Sequence, residues 1–548
     1  MANFPFKFSL SNFLSPSQSQ SKTSHHNPAP YSLLTKMQAQ EIQLQPNQIQ
    51  TPSQIDQREL QRDQPSPMDS SNLLPQSRKS CTIPKPITTA KSSSNKLKLI
   101  PLIFLIYFEV AGGPYGAEQS VQAAGPLYAI IGFFIFPFLW GVPESLVTAE
   151  LATALPGNGG FVVWADRAFG PFFGSLMGTW KYLSVVINIA AYPPMCADYI
   201  SRAYSPAGSG KGRSVAISIA VVILCLLNYT GLSVVGWGAV VLAVVTLAPF
   251  VLITALAMKR IETRRWMVQT EKKDWRQFLN ILFWNLNYWD SASTMAGEVE
   301  QPEKTFPKGL AIAVVICSVS YFLPVMASTG AIDSPPEAWV NGYFADVAGM
   351  LGGNWLKYWI QAGAVLSSIG LYEAQLSSAA FQLLGMADLG LLPRIFAVRA
   401  PKFDTPWVSI LLSCLITLTI SFLPFEDIVS TANILYSLGM LLEFATFLWL
   451  RRKYPDLKRP YRVPLGTTGL CIMCLLPSVL LCYMIALASR RVFVLSAVLT
   501  AMGIAVHFLM RYCRLSGLLK FTDSEGEVEE EREERIVLGH EEENNGVV

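Results

Sequence analysis

The stretch Phe283-Trp284-Asn285-Leu286-Asn287-Tyr288-Trp289-Asp290-Ser291-Ala292-Ser293-Thr294 constrains this chain more than any other. It falls inside an apolar segment of membrane-spanning length, 278–297, yet is too polar in its middle for an ordinary span. Asn285, Asn287, Asp290, Ser291 and Ser293 lie too close together to share one helix face, so an intact helix would turn some of them to lipid. A carboxylate at the bilayer centre costs ~2.5–3.5 kcal/mol on insertion scales, so Asp290 needs water, a partner or a ligand. The expected solution is a helix that unwinds here, its freed backbone groups lining a cavity. The plainer alternative is an intact helix whose polar residues face a protein interface.

A second segment repeats the pattern. The first apolar run, 99–110, is about half a membrane span. It meets Gly112-Gly113-Pro114-Tyr115-Gly116 and continues with small and polar residues through Ala124. Two interrupted apolar segments, five spans apart, point to a transporter whose binding site lies between inverted repeats.

The rest of the chain fits a membrane protein. Of its 548 residues 51% are hydrophobic and 15% charged, with the charge concentrated in tails and loops, which excludes a soluble multidomain enzyme. Twelve spans are expected: the broken first, then 127–155, 172–199, 214–232, 235–258, the broken 278–297, 310–331, 355–384, 407–422, 428–450, 467–488 and 492–512. An even count puts both termini on one side. Lys96 and Lys98, with the cluster Arg451-Arg452-Lys453, Lys458, Arg459 and Arg462, make that side cytosolic by the positive-inside rule. The loop 259–276 disagrees: it carries seven Lys/Arg against Glu262, Glu271 and Asp274 and falls on the other side.

Residues 1–97 are rich in Gln, Ser and Pro and read as a disordered cytosolic tail. The first forty lack acidic residues, which also suits a targeting segment. The expected transporter domain is 98–514, with a first repeat over 98–258, a second over 277–450 and extra helices over 467–512. Residues 515–548 read as an acidic cytosolic tail. Cysteines sit mainly in or beside apolar spans and the four histidines form no constellation, so no metal and no cofactor is expected. No nucleophile–base pair suggests an enzyme, and nothing suggests a nucleic-acid partner. Protein partners are not legible.

Several polar residues inside spans could carry chemistry. Glu109 adds a charge where the first half-helix exposes its last carbonyls, which makes a cation site, or it pairs with a buried base. That base could be Lys181, roughly 15 Å deep in the third span. Lys181, Ser184 and Asn188 share one helix face. Lys181 is then either salt-bridged or deprotonated and cycling a proton. Proton-coupling candidates are Glu109, Glu144, Glu150, Lys181 and Glu373. The expected substrate site comprises Glu109, Gly112, Gly113, Tyr115, Gly116, Asn188, Asn287, Tyr288, Trp289, Asp290, Ser291 and Tyr372, with Tyr115 and Trp289 as aromatic walls for an ammonium.

Four pieces carry a family resemblance: Phe108-Glu109-Val-Ala-Gly-Gly-Pro-Tyr-Gly116, Pro156-Gly-Asn-Gly-Gly160, Phe283-Trp-Asn-Leu-Asn-Tyr-Trp-Asp290, and Gly297-Glu-Val-Glu-Gln-Pro302 through Pro307. The chain resembles the plant polyamine uptake transporters of the amino acid–polyamine–organocation superfamily. The resemblance implies an all-α fold of five-plus-five inverted repeats like the leucine transporter, with broken helices one and six. It also implies polyamine/proton symport at the cell membrane, an intracellular membrane being the alternative. One departure is Asn188-Ile189, where many members have Asp-Asn. Symport of neutral or cationic amino acids on the same scaffold stays open, as does a non-transporting amine sensor. Pro114, which lacks an N–H, and Glu109, which would repel a carboxylate, lean toward carboxyl-free amines.

Overall fold

The structure is a computed structural model that describes residues 96–201, 210–268, 270 and 272–522. The expectations for the N-terminal tail and for most of the acidic C-terminal tail fall outside those residues. Within them the chain is helical, joined only by two isolated bridges, Leu97 with Val299 and Asn158 with Met295.

The first span consists of two half-helices, α1 (Leu99–Val110) and α2 (Glu118–Ala124). The second runs from α3 (Pro126–Phe136) through a π-turn at Pro137–Gly141 into α4 (Val142–Ala154). Pro137 brings no N–H to the ladder, and the wider turn absorbs that loss. A short α5 (Phe161–Phe169) leads into α6 (Pro171–Ile189) and α7 (Tyr192–Ser201), followed by α8 (Gly210–Tyr229) and α9 (Leu232–Ala257). The sixth span begins as α10 (Trp275–Asn285), unwinds, and ends in the 3-10 turns Ser291–Thr294 and Ala296–Glu298. Next come α11 (Pro302–Ala331), the connecting α12 (Tyr343–Gly352), α13 (Asn354–Asp388), α14 (Trp407–Ile420), α15 (Phe425–Lys453), α16 (Thr467–Ala486) and α17 (Arg490–Leu515).

Among the described residues seven helical segments are long and apolar enough to cross a membrane by length and composition, fewer than the twelve spans expected. The difference has a physical cause. The first and sixth spans are interrupted, and α14 is only 14 residues long. The others, α6 and α13, carry buried Lys181 and Asn188, and Glu373 and Gln375, which lower their apolarity. Helices α8, α9 and α17 present exposed side chains such as Leu226, Val241 and Leu509, a surface suited to hydrocarbon.

The first and last described residues meet at one end of the molecule. Leu97 N–H donates to Glu298 O (2.8 Å), Arg394 N–H donates to Lys520 O (2.8 Å), and Arg399 pairs with Glu298 at 2.5 Å. The basic loop 259–276 lies at the other end. Its arginines are engaged: Arg265 donates to Gly330 O (3.1 Å) and Ala331 O (2.8 Å), the last carbonyls of α11, and pairs with Glu262 at 2.7 Å. Trp266 donates to Met326 O (3.0 Å), and Arg276 donates to Leu487 O just past α16. These cations cap helix C-termini, whose orphan carbonyls and dipoles favour positive charge. The cations of the loop thus have partners within the fold.

Candidate functional site

Both expected breaks are present. Helix α1 ends at Val110, with Ala111 N–H still on Tyr107 O (2.7 Å), and the chain then leaves the helix through 112–117, with Gly113 (φ 105°) and Gly116 (φ 88°) in conformations that glycine adopts freely. The carbonyls at this end are met by α13: Gln375 Nε2 donates to Glu109 O (2.9 Å) and Ser367 Oγ to Gly112 O (2.5 Å). Gly116 N–H is taken by Glu118 Oε2 at 2.8 Å. In the second break Tyr288 adopts φ 68°, uncommon for a bulky residue. Its N–H donates to the Tyr436 hydroxyl (2.8 Å), and the Trp289 N–H donates to Glu144 Oε1 (2.9 Å). Side chains from α15 and α4 thus take the amides that unwinding frees.

Ser378 on α13 ties the breaks together. Its hydroxyl donates to Glu109 Oε2 (3.2 Å) and its carbonyl accepts from Thr294 Oγ1 (3.0 Å). The polar stripe of α6 runs along the second break. Lys181 meets Asp290 at 2.6 Å, and Ser184 Oγ lies 2.8 Å from the Tyr288 hydroxyl. Asn188 Nδ2 donates to Gln375 Oε1 and to Tyr192, both at 2.9 Å, while its Oδ1 accepts from Trp284 Nε1 (2.8 Å). Trp284 also lines a cavity of about 860 Å³ at the end opposite the termini, with Asp274, Arg276, Asn280, Asn433 and Arg491 around it. At the terminal end Glu298 is held by Arg399 (2.5 Å) and by Asn158 Nδ2 (2.9 Å).

A family model described as Amino acid permease matches residues 97–504, well over half of the chain. The chain belongs to the amino acid permease family. It is 50% identical over 417 residues to a protein of Arabidopsis thaliana named as a probable polyamine transporter, covering 76% of this chain and 87% of that one. It is 45% identical over 445 residues to another from that plant named polyamine transporter, covering 80% and 91%. A polyamine transporter of Oryza sativa subsp. japonica is 46% identical over 432 residues, covering 79% and 81%. This permease is therefore a multi-pass membrane transporter and not an enzyme.

The permease places its polar residues differently from the sequence reading in several respects. Lys181 pairs with Asp290, not with Glu109, because the stripe on α6 faces the second break. Tyr115 is no wall of the inter-break space: it points toward α9, its hydroxyl 3.4 Å from Thr246 O and its ring against Phe250. Trp289 is fully buried, with its indole donating to Leu286 O (2.9 Å) and packed where a Cβ on Gly141 would stand 3.1 Å away. Tyr372 turns toward α14, with its hydroxyl 3.8 Å from Cys414 Sγ, although Gln375 on the same helix reaches Glu109. Glu373 accepts from Asn228 Nδ2 of α8 (3.0 Å), away from either break. Glu150 is a structural anchor near the terminal end, bound to Arg451 and Arg459 and accepting from Val463 N–H (2.8 Å). Ser291 helps shape the 3-10 turn by accepting from Thr294 Oγ1 (2.8 Å).

Around Lys181 the permease gathers more acid than the sequence reading found. The Tyr436 hydroxyl lies within hydrogen-bond reach of both Glu144 and Asp290, the latter at 2.9 Å, and its single proton serves one of them at a time. Glu443, on the same helix as Tyr436, lies 3.5 Å from the ammonium, which also sits over the Tyr436 ring 3.9 Å from its centroid. Tyr436 and Glu443 were missed, as was Trp284. A carboxylate in the apolar middle of a helix, seven residues from a tyrosine on the same face, was the available signal for α15.

Proposed function

We propose that this permease takes up polyamines by symport with protons across the cell membrane, with both termini in the cytosol. The observation that carries the reading is the environment of Glu109. The residue is fully buried, its Oε2 has the Ser378 hydroxyl, and its Oε1 has no hydrogen-bond donor among the described residues. Asn287 Oδ1 is likewise without a donor there. Meanwhile Gly116 N–H is occupied by Glu118, and Pro114 has none to give. The space between the breaks thus offers negative charge and acceptors, which an alkylammonium satisfies and an α-carboxylate would oppose. With Asp290 held by Lys181, Glu109 is the counter-charge for the cargo. The names of the relatives agree with this chemistry, and the buried acidic cluster around Lys181 provides places for a coupled proton.

The test is uptake of labelled spermidine and labelled arginine into transport-deficient cells, with and without a pH gradient. Spermidine uptake that collapses when the gradient is dissipated supports the reading. Arginine uptake without spermidine uptake would overturn the substrate assignment, and gradient-independent uptake would overturn symport.

A further inference from the structure

Within the acidic cluster around Lys181, Glu443 is the member with the fewest partners. It is fully buried on α15, and among the described residues neither of its oxygens receives a hydrogen bond. Its neighbours come from every element around it: Lys181 from α6, Asp290 from the second break, Glu144 from α4, Tyr436 from its own helix, and Cys474 from α16. One ammonium therefore faces three carboxyls. A buried site does not hold that excess of negative charge unpaired, so protons or cations make up the balance. The three are not equally provided for. Asp290 has the lysine at 2.6 Å, Glu144 has the Trp289 amide, and the two share the one Tyr436 hydroxyl proton. Among the described residues Glu443, beside the Asp290 carboxyl, has no donor nearer than the lysine at 3.5 Å. It is the carboxyl at which a proton replaces a missing partner.

We propose that Lys181 is a two-position switch set by a proton on Glu443, and that this switch couples proton to cargo in the symport inferred above, on which the proposal rests. With Glu443 protonated, Lys181 belongs to Asp290, and the second break is held with Tyr288 N–H on Tyr436 and Trp289 N–H on Glu144. When the proton leaves Glu443 for cytosolic water, the new carboxylate draws the ammonium away from Asp290. The break loses its central ion pair and the cargo site loosens. Only a proton changes hands. The Lys181 stem lies directly over Gly439, where a Cβ would stand 2.8 Å from its Cε, and the ammonium also touches Met440 Sδ at 2.7 Å, so the shift between the two carboxyls takes place along this bare stretch of α15. Loading at high proton concentration and release at low proton concentration follow.

The experiment uses the full chain in proteoliposomes with spermidine as the probe, comparing gradient-driven accumulation with counterflow at fixed pH, and spermidine affinity across pH. In the wild type, affinity falls as pH rises. Glu443→Gln keeps Lys181 on Asp290, so counterflow stays within about twofold of wild type while accumulation is lost and affinity no longer varies with pH. Lys181→Arg preserves the charge but pins a bidentate guanidinium on Asp290, so its affinity also stops varying with pH. Gradient-driven accumulation and a wild-type pH profile in either variant overturn the switch while leaving symport intact. A wild-type protein that ignores the gradient overturns the symport reading and the switch with it.

Discussion

Gly439 on α15 tests whether the Lys181–Asp290 pair organises the second break. A Cβ there would stand 2.8 Å from Lys181 Cε and 3.0 Å from both Cδ and Cγ. Three consecutive carbons are involved, so no single bond rotation relieves the clash and the stem has to retreat along its length. The ammonium it carries sits 2.6 Å from Asp290, and Lys181 is 1% exposed, so water does not replace a lost partner. A charge-assisted contact of this kind is worth ~1.5–3 kcal/mol, or about 10- to 150-fold in affinity or rate. Gly439→Ala should lower spermidine uptake per surface molecule by about that factor, although no charge has been removed. A double-mutant cycle with Lys181→Met, read by thermal unfolding of the purified proteins, separates this route from general overpacking. If alanine acts through the lysine, its penalty largely disappears in the methionine background. Wild-type uptake by Gly439→Ala, or two stability effects that simply add, would refute the reasoning.

Other residues give sharper single outcomes. Glu109→Gln should weaken spermidine uptake by about 10-fold or more, whereas Ser378→Ala, which removes one neutral hydrogen bond, should cost less; concentration-dependent uptake compares them. Trp284→Phe keeps a ring but loses the donor to Asn188, a change of ~1 kcal/mol that should raise KM about fivefold. Glu150→Gln leaves Arg451 and Arg459 short of a partner, so the thermal midpoint should fall by the equivalent of ~3–5 kcal/mol while the pH dependence of surviving uptake is unchanged. Arg265→Ala should weaken the end of α11 without reorienting the protein: tags on both termini should stay protected from external protease in intact cells, and cleavage of either would overturn the cytosolic assignment.

The breaks were legible because they violate the apolar pattern around them. Glycine, proline and clustered polar residues marked 112–116 and 285–293 as places where a helix has no stable course. The stripe of Lys181, Ser184 and Asn188 was legible by helical spacing alone. What spacing does not carry is direction once the helix ends. Tyr115 and Trp289 lie beside unwound backbone, where helical periodicity no longer says which way a ring points, and both turn into the protein. The partner of Lys181 was ambiguous for a related reason, since both acids lie at breaks whose relative heights depend on tertiary packing. Glu443 was hidden by its surroundings: Leu441, Leu442, Phe444 and Ala445 make it look like one exception in an ordinary span. The role of the basic loop could not be read, because whether an arginine answers to a membrane potential or to a nearby carbonyl depends on which helix ends beside it.

The passes that fail the apolar criterion have a consequence for how the protein is made. Glu109 on α1, Lys181 and Asn188 on α6, and Asp290 in the second break each reach the translocon before all of their partners exist. Lys181 emerges more than a hundred residues ahead of Asp290, and Asp290 ahead of Tyr436. A charged group at mid-membrane without its counterpart makes insertion of such a segment unfavourable. These segments must therefore wait at the interface, or be sheltered by strongly apolar neighbours such as α9 and α11, until the later helices arrive. Biogenesis then depends on the same pairs that hold the breaks. Substitutions at Asp290 or Tyr436 should accordingly show their effect first as missing protein at the surface, before any transport defect can be measured.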